Sequence, residues 1–384
     1  MTSLRTRRMT ASLRTCALLL MLALGSGCAA FAPQSEPAAP PGPILAREEI
    51  VALLDDARRT RAKGDFPLAR AAVRQALGAA QRSHWNDLAA DADFLLGELF
   101  VQEGSPRQAA DAFVRAYDLS RRAGDRARAV RSLNALANVL LDAGDYDRAF
   151  EASAQALRLA RSLGDLRQQS TALNNVGEAH RLSGRYQTAM DAYREALNLT
   201  RQAGTARDSA VILENMASTA ERQGQLETAA GYYAEALAVA RQTGNADSVA
   251  NLLNGLTAIR LAQQRPTEAL PLARDAAELG RRQNLGRPLV TAVQNEGLAA
   301  WGMGDRETAR RSLAEAVQLA SAMDDRPLLA YAQWHLGRLD LETGDRAAGV
   351  QALDQALGLF RALHLADEAR KVEAELRAVQ ENRP

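Results

Sequence analysis

The side chains that recur at fixed spacing and could do chemistry are asparagines. Asn134, Asn174 and Asn254 share one register of a 40-residue period, Asn175, Asn215 and Asn295 share the next, and Asn138 lies one turn beyond Asn134. Asparagine is a poor helix-interior residue, so its return to one place needs a reason. Its amide both donates and accepts, which suits gripping an extended peptide backbone and equally suits bonding a neighbour across a stack. The rest of the chemical inventory is thin. His84, His180, His335 and His364 stand far apart, with no metal-ligand or dyad spacing. Cys16 and Cys28 are the two cysteines, which excludes a zinc site or disulfide framework in the body of the chain. Carboxylates are spread evenly among arginines, and no glycine-rich phosphate loop appears. The expectation is a non-catalytic protein with no metal and no cofactor.

Elements that could position such residues follow from composition. The chain has 384 residues, 47 % hydrophobic but only 4 % aromatic, so its apolar content is mostly Ala, Leu and Val. That is a helix-former's composition. A formal net charge of +1 argues against nucleic acid as the main partner.

Glycines mark a 40-residue period, and two ladders of small residues follow them, the first being Ala69, Ala109, Ala149, Ala189, Ala229, Ala269, Ala309 and Gly349. Gly64, Gly104, Gly144, Gly184 and Gly224 are spaced by 40, and the series runs through Gln264 to Gly304 and Gly344. The second ladder runs Ala76, Ala116, Ala156, Ala196, Ala236, Ala276, Ala316 and Ala356. Eight units fit between about residues 50 and 369, each reading as two helices. Leu133, Leu136, Leu140 and Leu141 give one first helix its apolar stripe, and Gly144 closes it. The alanines let paired helices approach closely.

Leu96-Gly97, Leu136-Ala137, Val176-Gly177, Met216-Ala217 and Leu336-Gly337 resemble the first-helix pair of the tetratricopeptide repeat (TPR). Tyr146 and Tyr186 match its aromatic after the turn, and Phe113, Tyr193 and Tyr233 its second-helix aromatic. The period is 40 residues, so the likeness is to the long-helix type found in scaffold proteins and bacterial regulators. The resemblance implies an all-α, right-handed superhelical solenoid of about eight helix-pair repeats over residues 50–369, with a capping helix at 365–380. Gln264, Asn284 and Pro271 depart from the pattern, and a local irregularity is expected in the sixth unit. First helices line the concave face of such a stack. The likeness therefore makes Asn134, Asn138, Asn174, Asn175, Asn215, Asn254 and Asn295 candidates for holding a partner's backbone; the competing reading is that they bond across the stack. Trp301 and Trp334 fall in the same helix family, as partner anchors or as filling for an irregular core.

Residues 1–27 carry four arginines, no acid and a short apolar run, which reads as a signal peptide. Leu24-Gly25-Ser26-Gly27-Cys28 resembles a bacterial lipobox, with Leu24 one place earlier than usual. Cys28 is then the lipidated residue, and residues 28–43 form a Pro-rich tether. The alternative is an ordinary signal cut near Ala30. Ala29 lacks the inner-membrane retention signal of enterobacterial lipoproteins and favours the periplasmic face of the outer membrane. The whole reads as a lipid-anchored scaffold or adaptor at the bacterial envelope, binding a peptide or protein in its groove. The alternative is a periplasmic glycan-binding or cell-wall-enzyme regulatory module, for which few aromatics are present.

Overall fold

The computed structural model describes residues 44–381; the signal, Cys28 and the whole of the tether lie outside them. Among the described residues there are 17 helices and no strand. First helices of successive pairs are α1 (Arg47–Ala62), α3 (Asn86–Gln102), α5 (Arg126–Asp142), α7 (Leu166–Leu182), α9 (Ala206–Arg222), α11 (Ala246–Ala262), α13 (Gly286–Gly302) and α15 (Arg326–Glu342). Their partners are α2 (Phe66–Arg82), α4 (Pro106–Arg122), α6 (Tyr146–Leu163), α8 (Tyr186–Ala203), α10 (Leu226–Thr243), α12 (Pro266–Gln283), α14 (Arg306–Ala322) and α16 (Arg346–Ala362), and α17 (Ala366–Glu381) follows alone. Contacts divide the chain into two compact units at residue 168, in the first turn of α7.

One turn joins every helix to the next. Gly104 is left-handed (φ 69°), with its N–H on the Val101 carbonyl at 3.1 Å and the Ser105 N–H on the Phe100 carbonyl at 2.8 Å. That pair of bonds satisfies carbonyls that the helix end would orphan. An aspartate after the turn often caps the following helix, as Asp65 accepts from the Leu68 N–H at 3.1 Å and Asp305 from the Thr308 N–H at 3.0 Å.

The irregularity expected in the sixth unit is absent. Gln264 (φ 58°) and Asn284 (φ 53°) take the same left-handed turn, as do His84, Asp324 and His364. The helix α12 passes Pro271 without a break. Pro271 lies on the exposed face, so its ring meets no packed neighbour there.

Packing explains the glycines of the first helices. A Cβ on Gly97 would stand 2.5 Å from the Phe113 ring, and one on Gly177 2.5 Å from the Tyr193 ring. Where the first helix carries Ala137 instead, the residue in the ring's place is the small Ser153. On α17 the equivalent place holds the large Arg377 where most earlier first helices carry glycine or alanine. Val372 and Leu376 of α17 cover Leu353, Ala356 and Phe360. Ala156 is wholly buried among such contacts. Ala156→Leu is expected to cost about 1–3 kcal/mol by overpacking. Urea unfolding followed by circular dichroism reads this, and an unchanged midpoint would place Ala156 outside the helix interface.

Candidate functional site

The asparagine series splits when burial is examined. Asn134, Asn175, Asn254 and Asn295 are buried, at 4, 3, 6 and 6 % exposure. This corrects the expectation that they face a groove. Asn134 Nδ2 donates to Gln168 Oε1 at 2.9 Å, Asn254 Nδ2 to the Pro288 carbonyl at 2.9 Å, and Asn295 Nδ2 to the Asn254 carbonyl at 3.4 Å. Each bond reaches 34 or 41 residues along the chain, from one first helix to the next. The amides hold neighbouring repeats together, because a first helix is covered on its flank by the first helix of the following pair. Asn254→Ala should therefore lower stability by about 1–3 kcal/mol, since the Pro288 carbonyl loses its bond inside the stack. A higher midpoint in a urea melt would overturn the bridging role.

The two tryptophans also point inward to the stack. Trp301 is half-buried, donates from Nε1 to Glu342 at 2.8 Å, and has the Arg338 guanidinium 5.6 Å from its ring. Trp334 donates to Glu375 of α17 at 2.9 Å and meets Phe360 edge-on at 5.8 Å. Of the two readings open for these rings, the contacts fit filling and bonding within the last pairs.

What remains accessible is a first-helix face in the second unit. Asn215 Nδ2 donates to Asn174 Oδ1 at 2.9 Å, and both residues are half-buried. Beside them Glu178 is held by Arg181, whose Nε donates to it at 2.9 Å, and accepts from the Tyr193 hydroxyl at 2.8 Å. Burial, followed by the Glu178 charge, pushes the Tyr193 phenol well up from its ordinary value. The Glu178 partnership pushes the Arg181 guanidinium up. Burial raises the Tyr233 phenol, and the charges of Glu221, Glu214 and Arg181 all act on it, so these side chains share one neighbourhood. Glu214 is itself raised by burial and then by the charge of Asp247. The patch thus sets Glu178, Glu214 and Glu221 against the cation Arg181. In the first unit Asn138 is the one exposed member of the asparagine series.

These acids escaped sequence reasoning, although a signal was present. Glu214 lies in the register of Asn174 and Asn254, Glu178 in that of Asn138, and Arg181 is 40 residues before Glu221. Such an arrangement can hold cations and peptide N–H groups. It contains no nucleophile–base pair, and no group of three His, Cys, Asp or Glu among the described residues is placed to bind a metal. Two histidines, His84 and His364, serve as left-handed turn residues. Among the described residues no helix is long and apolar enough to cross a membrane.

Comparison with known structures accords with this architecture. The TPR sensor-containing signal-transduction ATPase with numerous domains from Pyrococcus horikoshii superposes with a TM-score of 0.61 at 16 % identity, covering 86 % of this chain and 55 % of that one. A Rap protein complexed with Competence and Sporulation Factor gives 0.55 at 15 % identity, covering 87 % and 98 %. BtubC (BKLC) from P. vanneervenii gives 0.52 at 23 % identity, covering 57 % and 92 %. At these identities the likeness is one of fold. No curated protein matches the sequence. Residues 285–343 match a family model described as anaphase-promoting complex subunit 5. Models described as tetratricopeptide repeat match residues 54–127, 128–202 and 208–282. With stacked helix pairs, small residues beneath second-helix rings and these matches, the chain belongs to the tetratricopeptide repeat family.

Proposed function

We propose that the protein is a non-catalytic scaffold that binds a peptide or protein segment on its first-helix face, tethered to the bacterial envelope by lipid on Cys28. The observation that carries the reading is the acidic patch of Glu178, Glu214 and Glu221 over buried Tyr193 and Tyr233, with Arg181 as countercharge. Excess carboxylate at a built, part-buried surface favours a segment that brings lysine, arginine or free N–H groups. The Rap neighbour, solved with a bound factor, supports a ligand-binding use of the fold. The anchor rests on the lipobox-like run ending at Cys28 and the prolines after it.

The test compares proteins crosslinked to the full chain in intact cells with those crosslinked to a Glu178→Lys, Glu221→Lys variant. A bound partner should be lost about tenfold or more from the variant, since charge reversal at a desolvated contact removes about 2 kcal/mol. An identical partner set from both proteins would sink the acidic-face reading. The anchor is checked separately: Cys28→Ser should release the chain from salt-washed membranes, and continued membrane association would refute lipidation.

A further inference from the structure

The first unit contains a cavity that the partner-binding face does not use. It measures about 620 Å³ and lies between the end of α4, the start of α5 and the second half of α6, with Tyr117, Arg121, Arg126, Gln155, Arg158 and Leu159 on its walls. Arg121, Arg126 and Arg158 are exposed, and none forms an ion pair among the described residues. Among the described residues more than half of the arginines are matched with an acid, and three that are not gather around this one hollow. Each guanidinium keeps its charge and offers a planar fork of donors that fits phosphate or carboxylate oxygens.

The repeat itself provides an internal comparison. Arg201 pairs with Glu235 and Arg281 pairs with Glu315 at 2.7 Å, each pair joining residues 34 apart on consecutive second helices. The residue at that offset from Arg121 is Gln155, which is neutral. Gln155 instead donates from Nε2 to the Tyr117 hydroxyl, while Arg121 lies over the Tyr117 ring at 5.6 Å. The place that holds the acid of the cross-stack pair elsewhere is taken here by neutral Gln155, and Arg126 and Arg158 stand beside it. Without that acid the hollow carries three guanidinium groups on its walls and no ion pair to them. The nearby Asp125 carboxylate is turned to the Arg128 side chain at 2.5 Å and the Arg128 N–H at 2.9 Å, and Arg128 also forks onto Asp91, so this cluster offsets part of the hollow's charge without pairing any of its three arginines.

We infer that this cavity binds a phosphate-bearing small molecule. Three guanidinium forks on the walls of one hollow can meet the several oxygens of a phosphate or diphosphate. The volume exceeds that of the anion alone and falls in the range of small-molecule sites, so a larger organic portion can rest on Tyr117 and Leu159. An extended acidic peptide is less well suited, because the arginines gather around one hollow and do not run in a row.

The experiment titrates inorganic pyrophosphate into the purified full chain by calorimetry, at physiological ionic strength and without divalent cations. The expected result is saturable one-to-one binding. It should weaken about tenfold or more in Arg121→Gln and equally in Gln155→Glu, since each removes a charge-assisted contact. Gln155→Glu rebuilds the ion pair present in other repeats, so it should melt no lower than the parent, and its loss of binding cannot be ascribed to misfolding. Absence of saturable binding by the parent overturns the inference, as does unchanged affinity in either variant. Tighter binding of a hexaglutamate peptide, with displacement of pyrophosphate, also overturns it and makes the hollow a docking point for an acidic protein segment.

Discussion

Replacing Tyr193 with alanine should lower the stability of the second unit by about 3–5 kcal/mol, the range for deleting a buried aromatic ring. Tyr193 is 0 % exposed and is the largest fully buried side chain among the described residues. Its ring fills the space that Gly177 leaves open, so truncating it would create a void against a residue with no side chain to relax into it. Tyr193→Phe separates the ring from the hydroxyl. It should cost only about 1 kcal/mol, because Glu178 keeps its bonds from Arg181 when the phenol is lost. Hydrogen exchange followed by mass spectrometry locates the effect, with α7 and α8 expected to lose protection first. A loss below about 1 kcal/mol for Tyr193→Ala would show that Gly177 is not held open for the ring.

Acid should weaken the last helix pairs through His335. Burial, with the Arg338 charge adding to it, pushes this imidazole down from 6.5 to about 4. Its Nδ1 is buried, and its ring stacks on Trp334 with centroids 5.8 Å apart. The unfolded chain therefore binds a proton between pH 6.5 and 4 that the folded chain refuses. Stability contributed by the neutral ring is complete above pH 6.5 and falls as pH drops to about 4, by about 3 kcal/mol in all. Urea melts of the parent and His335→Gln at pH 7 and pH 4 measure it. The drop on acidification should be smaller in the variant by about that amount, and equal drops would remove His335 from the acid response.

Helix pairs were legible because two small-residue ladders repeat at a period only a packed stack demands. Left-handed turns were legible where glycine marked them. They were hidden at His84, Gln264, Asn284, Asp324 and His364, since a side chain there is tolerated once the flanking helices and their capping bonds impose the turn. The asparagines misled for a geometric reason. Asn174 and Asn175 are adjacent, yet one is half-buried and the other 3 % exposed. The face a first helix shows to solvent borders the flank it gives to the next first helix. A single sequence locates the helix but not that border, which depends on how successive pairs are rotated. The arginine hollow was likewise invisible, because Gln155 acquires meaning only when set against Glu235 and Glu315 in other repeats.

Turns that recur every twenty residues, from Gly64 to His364, carry a hazard as well as an order. Any repeat can in principle dock one place out of step, because the backbone presents the same shape at every stage of assembly. Non-identical polar bonds between repeats oppose that slip: Asn134 with Gln168, Asn215 with Asn174, Trp301 with Glu342 and Trp334 with Glu375. A chain misaligned by one repeat would set these amides, indoles and carboxylates opposite strangers and lose the bonds between them. Asn134, Asn174 and Asn215, whose amides meet particular side chains, thus act as address labels that tell otherwise interchangeable helices which neighbour is their own.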